Sequence, residues 1–302
     1  MAKIVNRVIV CSTINAPTEA IRLFDAMPDW HLIVIGDLKT PEYKLDRGTY
    51  FSPLDQMLYD APLSIALGWN IFQRINLGFL LAYDMGAEVV ALVNDDNNPY
   101  DFWGQGLMIG REVKATYYET DLPAFDPIGA TGYKHLWHRG FPLQLLPKRD
   151  YSCVSAKWIT PQIQADFWNG DPDVDAICRM EHAPRCNFDS ESFPMASNVL
   201  SPFDCQNTFI SREVLKDYFL YPGIGRMDDI WASYYAQAKG HRPVYGKPSV
   251  YHDRGVRDLI KDMKDEYLGY EHNLEIVTNP ERIHRYLPSG SSRLFELYQG
   301  HF

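Results

Sequence analysis

The feature that most constrains the fold of this chain is the run Val89-Val90-Ala91-Leu92-Val93, which passes without a break into Asn94-Asp95-Asp96-Asn97. An aliphatic run with no polar alternation describes a strand buried on both faces, the pattern of a parallel sheet covered by helices. In open sheets of that kind, ligands gather beyond the carboxyl ends of the strands. Asp95 and Asp96 are therefore expected at a sheet rim. Adjacent carboxylates repel unless a cation sits between them, and hard oxygen donors suit Mg²⁺ or Mn²⁺ shared with a phosphate. An acidic turn that merely ends the strand accounts for the same residues, because Asp and Asn are turn formers.

The preceding segments alternate strand and helix, the α/β signature of a parallel sheet covered by helices. Val8 to Cys11 reads as a strand, Pro17 to Ala26 as a helix, and Leu32 to Ile35 as a strand ending at Gly36-Asp37. Trp69 to Met85 reads as a longer helix, with Ile71, Ile75, Phe79 and Ala82 on one face and Gly86 as its C-terminal cap. Beyond Asn98 the pattern is less regular. Strands are expected at Lys114 to Tyr118 and Pro243 to Tyr251, and helices at Asp228 to Lys239 and Val256 to Tyr267. No flexible linker divides the chain.

Charge and cysteine content exclude several classes of partner. Lys and Arg number 29 against 39 Asp and Glu, a net charge of -10, which leaves no footprint for clamping a nucleic-acid backbone. A phosphate-bearing small ligand then needs a local metal or a few placed arginines. The five cysteines are scattered, without a C-x-x-C pair, and read as reduced thiols of a cytoplasmic protein rather than a zinc site. The apolar run near the amino terminus is too short for a signal-peptide core, and no stretch is apolar for long enough to span a bilayer.

Four further groups carry candidate chemistry. Arg74 and Asn76 lie on the helix leading into the acidic strand, where an arginine fork could grip a diphosphate or simply form an ion pair. Asp228 and Asp229 open a helix after Gly225-Arg226-Met227; they read equally as a helix start favoured by the dipole and as a base or an orienting pair for sugar hydroxyls. His252 follows an apolar strand and reads as a metal ligand only if that strand lies beside Asp96; otherwise it is a hydrogen-bonded core residue. Arg139, in Trp137-His138-Arg139-Gly140-Phe141-Pro142, sits in a compact loop that suits either sugar-phosphate recognition or a packed turn.

Taken in order, Thr13-Ile14-Asn15-Ala16-Pro17-Thr18-Glu19-Ala20, Val34-Ile35-Gly36-Asp37-Leu38-Lys39-Thr40-Pro41, Ser52-Pro53-Leu54-Asp55-Gln56, Arg74-Ile75-Asn76-Leu77-Gly78, Asn169-Gly170-Asp171-Pro172-Asp173-Val174-Asp175-Ala176 and Pro202-Phe203-Asp204-Cys205-Gln206-Asn207-Thr208 resemble the STELLO family of glycosyltransferases. Arg139-Gly140-Phe141-Pro142, Gly225 to Ala232 and Glu266-Tyr267-Leu268-Gly269 more distantly resemble the reversibly glycosylated polypeptides, which include plant UDP-arabinopyranose mutases. In that second family the arginine matching Arg139 is associated with self-glycosylation.

The resemblance implies a single GT-A-type domain, a Rossmann-like mixed sheet flanked by helices. It would comprise a nucleotide-binding half over 1–98, a sugar and acceptor half over 99–275, and an outer tail over 276–302. It implies a UDP-sugar donor held through Mn²⁺ or Mg²⁺ by Asp96, His252 and Asp95. Thr13, Asp37, Arg74, Asn76, Asn94, Gln206 and Asn207 would bind the nucleotide sugar, and Asp228, Asp229 and Arg139 would serve the chemistry. The acceptor would be a glycan or small molecule, and self-association is left open. Two departures stand out. The families usually carry three consecutive aspartates where this chain has Asn94-Asp95-Asp96, and plant STELLO proteins are anchored in the Golgi membrane. Two alternatives accompany the transferase reading: a mutase interconverting ring forms of a UDP-pentose, and a non-catalytic assembly partner that keeps the fold.

Overall fold

The computed structural model describes residues 6–253, 255 and 257–302. The amino-terminal part contains β1 (Arg7–Ser12), α1 (Glu19–Asp25), β2 (His31–Ile35), β3 (Thr49–Phe51), α2 (Pro53–Tyr59), α3 (Ala61–Leu67), α4 (Ile75–Asp84) and β4 (Val89–Val93). The following part contains β5 (Asn97–Pro99), β6 (Val113–Tyr118), β7 (Val154–Ile159), β8 (Ile163–Gly170), α5 (Ala176–His182), β9 (Met195–Ser197) and β10 (Asn207–Ser211). Last come α6 (Asp228–Ala238), β11 (Pro243–His252), α7 (Leu259–Thr278) and α8 (Ser289–Gln299).

One eleven-stranded mixed sheet runs through the molecule in the order β3-β2-β1-β4-β10-β8-β11-β9-β6-β7, with β5 added on β11. Strands β3, β2, β1 and β4 are mutually parallel, and Val8, Ile9, Val10, Val90, Ala91, Leu92 and Val93 are buried, as continuous aliphatic runs require. The sheet becomes mixed at β10, which runs antiparallel to both β4 and β8. Strand β11 then lies parallel to β8. The carboxyl ends of β1, β2, β4, β8 and β11 and the amino end of β10 consequently meet on one edge.

Local chemistry sets the element ends. Thr18 caps α1 by accepting from the Ile21 amide, so the helix starts after Pro17 and not at it. Ser52 and Asp55 form a reciprocal capping box at the start of α2. The helix expected from Trp69 is shorter than its apolar pattern suggests: Asn70 adopts a left-handed conformation (φ 59) and residues 72–74 form a 3₁₀ turn before α4 begins. Gly86, with φ 83, closes that helix as expected. Helix α7 continues well past Tyr267, and Val256, its expected start, lies outside the described residues.

The segment from 276 onward is integrated into the core. Ile276, Ile283, Phe295 and Tyr298 are buried, Phe295 and Tyr298 pack against Phe219, and the Tyr298 hydroxyl donates to the Leu215 carbonyl at 2.7 Å. Among the described residues, no helix is long and apolar enough to cross a membrane. The five cysteines are all free thiols.

Candidate functional site

The shared strand edge opens into a cleft of about 670 Å³. Thr13 follows β1, Asp37 follows β2, Asn94, Asp95 and Asp96 follow β4, and Asp204, Cys205 and Gln206 lead into β10; all of them line it. Arg139, Arg226, Asp228 and Asp229 complete the opposite wall.

The acidic turn is held by neighbours far away in sequence. Thr13 Oγ1 and Asn15 Nδ2 both donate to Asp95 Oδ2, the latter at 2.8 Å, and Thr18 Oγ1 donates to the Asp95 carbonyl at 2.6 Å. The turn then folds back into β5, whose pairing with β11 sets Asn97 opposite His252. That register brings His252 Nε2 within 3.2 Å of Asp96 Oδ2. The imidazole is fully buried, whereas the Asp96 side chain is 44% exposed. On its other side, His252 Nδ1 lies 2.9 Å from the Asp171 carbonyl and 2.8 Å from the Gln206 amide. Gly170 makes this approach possible: it has φ 92, and a Cβ there would overlap the His252 carbonyl.

The opposite wall is a buried charge network. Arg139 grips Asp229 through two parallel bonds of 2.8 and 2.9 Å and Asp173 through Nε at 2.8 Å, and it also donates to the Arg226 carbonyl. Burial opposes the Arg139 charge, yet Asp173 and Asp229 hold its pKa well above the ordinary value. Burial likewise opposes ionisation of Asp229, and Arg139 nonetheless holds it below the usual carboxylate range. Asp228 has no such partner. Burial, with Asp229 beside it, pushes its pKa up to about 7, and Gln73 Nε2 donates to it at 2.6 Å. Gly140 lets the Arg139 loop sit against α6, because its φ is 93 and a Cβ would meet Ile230.

Three expected ligand-binding residues point elsewhere. Arg74 is fully buried, with Nε on Gln56 at 2.7 Å, Nη1 on the Ser64 and Gly68 carbonyls, and its guanidinium over the Trp69 ring. Its neighbour Gln73 faces the cleft instead. Asn76 exchanges two hydrogen bonds with the Leu220 backbone, tying α4 to a distant loop. Asn207 bridges β8, β11 and Trp103, donating to the Phe167 carbonyl at 3.0 Å and Ser249 Oγ at 2.9 Å and accepting from Trp103 at 2.9 Å. In each case an interior polar group has taken protein partners.

Sequence reasoning did not single out Asp173, Asp204, His138, Gln73 or Asn15. Asp173, Asp204 and Asn15 lie within the family-like stretches, which were the available signal. Their convergence is tertiary and has no short-range mark.

No protein-family profile matches the chain. The chain is similar to two Arabidopsis thaliana proteins, probable glycosyltransferase STELLO1 (23% identical over 250 residues, 76% of this chain and 32% of that protein) and probable glycosyltransferase STELLO2 (25% identical over 182 residues, 56% and 24%). It thus spans about a third or less of the curated relatives it matches. Among solved structures, glucosyl-3-phosphoglycerate synthase from Mycobacterium tuberculosis aligns with 90% of this chain and 79% of its own, at 11% identity and a TM-score of 0.47.

Proposed function

We propose that this chain is a GT-A-type glycosyltransferase that binds a nucleotide sugar, most naturally a UDP-sugar, through a divalent cation. The observation that carries the reading is the facing pair Asp96 Oδ2 and His252 Nε2, 3.2 Å apart at the shared strand edge of the mixed sheet. With the imidazole proton on Nδ1, donated to the Asp171 carbonyl, Nε2 would present its lone pair toward Asp96. That tautomer requires the Gln206 amide to turn its oxygen toward Nδ1. Two acceptors brought together in this way fit a divalent cation, Mn²⁺ more readily than Mg²⁺ because one donor is an imidazole nitrogen, with the Asp171 carbonyl fixing the ring from behind. The similarity to the STELLO proteins supports the same reading.

In this proposal Asp96 and His252 hold the ion and Asp95 orients the turn or completes the ligand set. The bound ion would offset charge on the departing diphosphate. The 1–98 part, through Thr13, Asn94 and Asp37, contributes the nucleoside side, and the 99–275 part contributes Gln206 and the Arg139 wall on the sugar side. Asp228, with its pKa near neutrality, is the group suited to exchange a proton with a sugar hydroxyl.

Titrating UDP calorimetrically with Mn²⁺ and again after chelation tests the donor site. Binding only with the ion supports the reading, and equal affinity in both removes the ion from it. Incubation with UDP-sugars then separates the chemistries. Free UDP plus a glycoside marks transfer, an intact nucleotide sugar in another ring form marks a mutase, and no UDP binding under either condition marks an assembly partner.

A further inference from the structure

Behind the Arg139 wall, His138, Asp173 and Asp204 each bring one ligand-capable atom to within 4.8 Å of the others, and all three are buried. His138 Nδ1 lies 2.6 Å from the Arg139 carbonyl, which fixes its proton there and leaves Nε2 as an acceptor. Asp204 Oδ1 accepts from the Gln206 amide at 3.0 Å, but Oδ2 is buried with no hydrogen-bond partner among the described residues. Its ligand-capable oxygen lies within 4.8 Å of those of Asp173 and His138, and two carboxyl groups that close are favoured by a shared proton or a cation.

Charge balance selects the kind of occupant. Arg139 pairs with Asp173 and Asp229, and Arg226 pairs with Glu266 at 2.7 Å and with Asp173 at 3.5 Å, so Asp204 is the buried carboxyl of this group with no arginine partner among the described residues. A buried carboxylate without a cation is unfavourable unless it takes up a proton or an ion. We propose that His138, Asp173 and Asp204 form a second divalent-cation site at the floor of the cleft, separate from Asp96 and His252. One imidazole nitrogen with two carboxylate oxygens suits Mn²⁺, Co²⁺ or Zn²⁺ better than Mg²⁺ or Ca²⁺. Because Arg139 also bonds Asp173, an ion there would fix the orientation of the Arg139 guanidinium.

The site does not depend on a nucleotide, so it is tested without one and stands or falls apart from the transferase reading. Chelator-stripped full-length Asp96→Asn is dialysed against Mn²⁺ or Zn²⁺ and the retained metal counted by mass spectrometry. The expected result is one ion per chain, with affinity weakened at least 100-fold by adding Asp204→Asn. Should that double variant fail to fold, His138→Gln in the Asp96→Asn background replaces it, read by loss of nitrogen coupling in the Mn²⁺ electron spin-echo spectrum. No ion retained by Asp96→Asn overturns the proposal in favour of a shared proton, as does retention or nitrogen coupling unchanged by the second substitution.

Discussion

The two walls of the cleft handle negative charge in opposite ways. On the β4 wall, Asp95 is held by the neutral donors Thr13 and Asn15, and Asp96 faces His252 and keeps 44% of its side chain exposed. On the Arg139 wall, Asp173 and Asp229 are almost fully buried and share a guanidinium that is 7% exposed. A carboxylate that stays near solvent, supported by hydroxyls and amides, retains charge for a ligand; one gripped by buried arginine has committed it to the framework. In the proposed reading the first wall binds the ligand and the second supplies shape and proton control.

The comparison breaks most readily at Asp229. Asp229→Ala leaves Arg139 without its bidentate partner in a buried setting, and removing one member of such a pair costs about 3–5 kcal/mol. Urea unfolding should show that loss; a change below about 1 kcal/mol would place this network outside the stabilising framework.

Asp96→Ala is the converse case. Metal-dependent UDP affinity should fall by about 100-fold or more, equivalent to about 2.7 kcal/mol, while folding stability changes by no more than about 0.5 kcal/mol. A large shift in melting temperature with UDP affinity preserved would reassign Asp96 to an acidic turn.

Thr13→Val deletes a hydroxyl that supports Asp95 without touching the ligand charge. About tenfold weaker metal-dependent binding is expected, the scale of a lost supporting contact. Wild-type affinity in calorimetry would show that the turn needs no such support.

A further effect is read in pH. The folded-state pKa of Asp228 is raised to about 7 from its usual 3.8, so the folded protein binds more protons than the unfolded chain between those values. Stability from this group is therefore full below the unfolded pKa and is lost as pH rises toward 7. Asp228→Asn should flatten that decline by up to about 1.4 kcal/mol per pH unit. An unchanged slope in denaturation series at pH 4.5, 5.5 and 6.5 would mean that Asp228 is ionised throughout.

Part of this architecture was readable in the residues. The aliphatic runs of β1, β2 and β4, the helix start at Asp228-Asp229 and the strand from Pro243 to Tyr251, which the structure extends to His252, follow from short-range periodicity, which the sequence carries directly. The antiparallel insertion of β10, which makes the sheet mixed, has no comparable mark. The short strands β3, β5 and β9 were also hidden, because three residues hold too little pattern to read.

Sequence alone determined which residues could do chemistry and on which elements they lie: Asp95 and Asp96 beyond an apolar strand, Arg139 in a tight Gly-Phe-Pro loop, and aspartates in a first helical turn. Tertiary structure decided which of them meet. Arg74 and Arg139 are the same residue type in equally suggestive settings, yet one is closed around Gln56 and Ser64 while the other reaches the cleft. The distance between His252 and Asp96 depends on the pairing of β5 with β11 across 156 residues of sequence. Periodicity is set by a residue's near neighbours, whereas burial, hydrogen-bond partner and local charge are set by whatever the folded chain brings alongside.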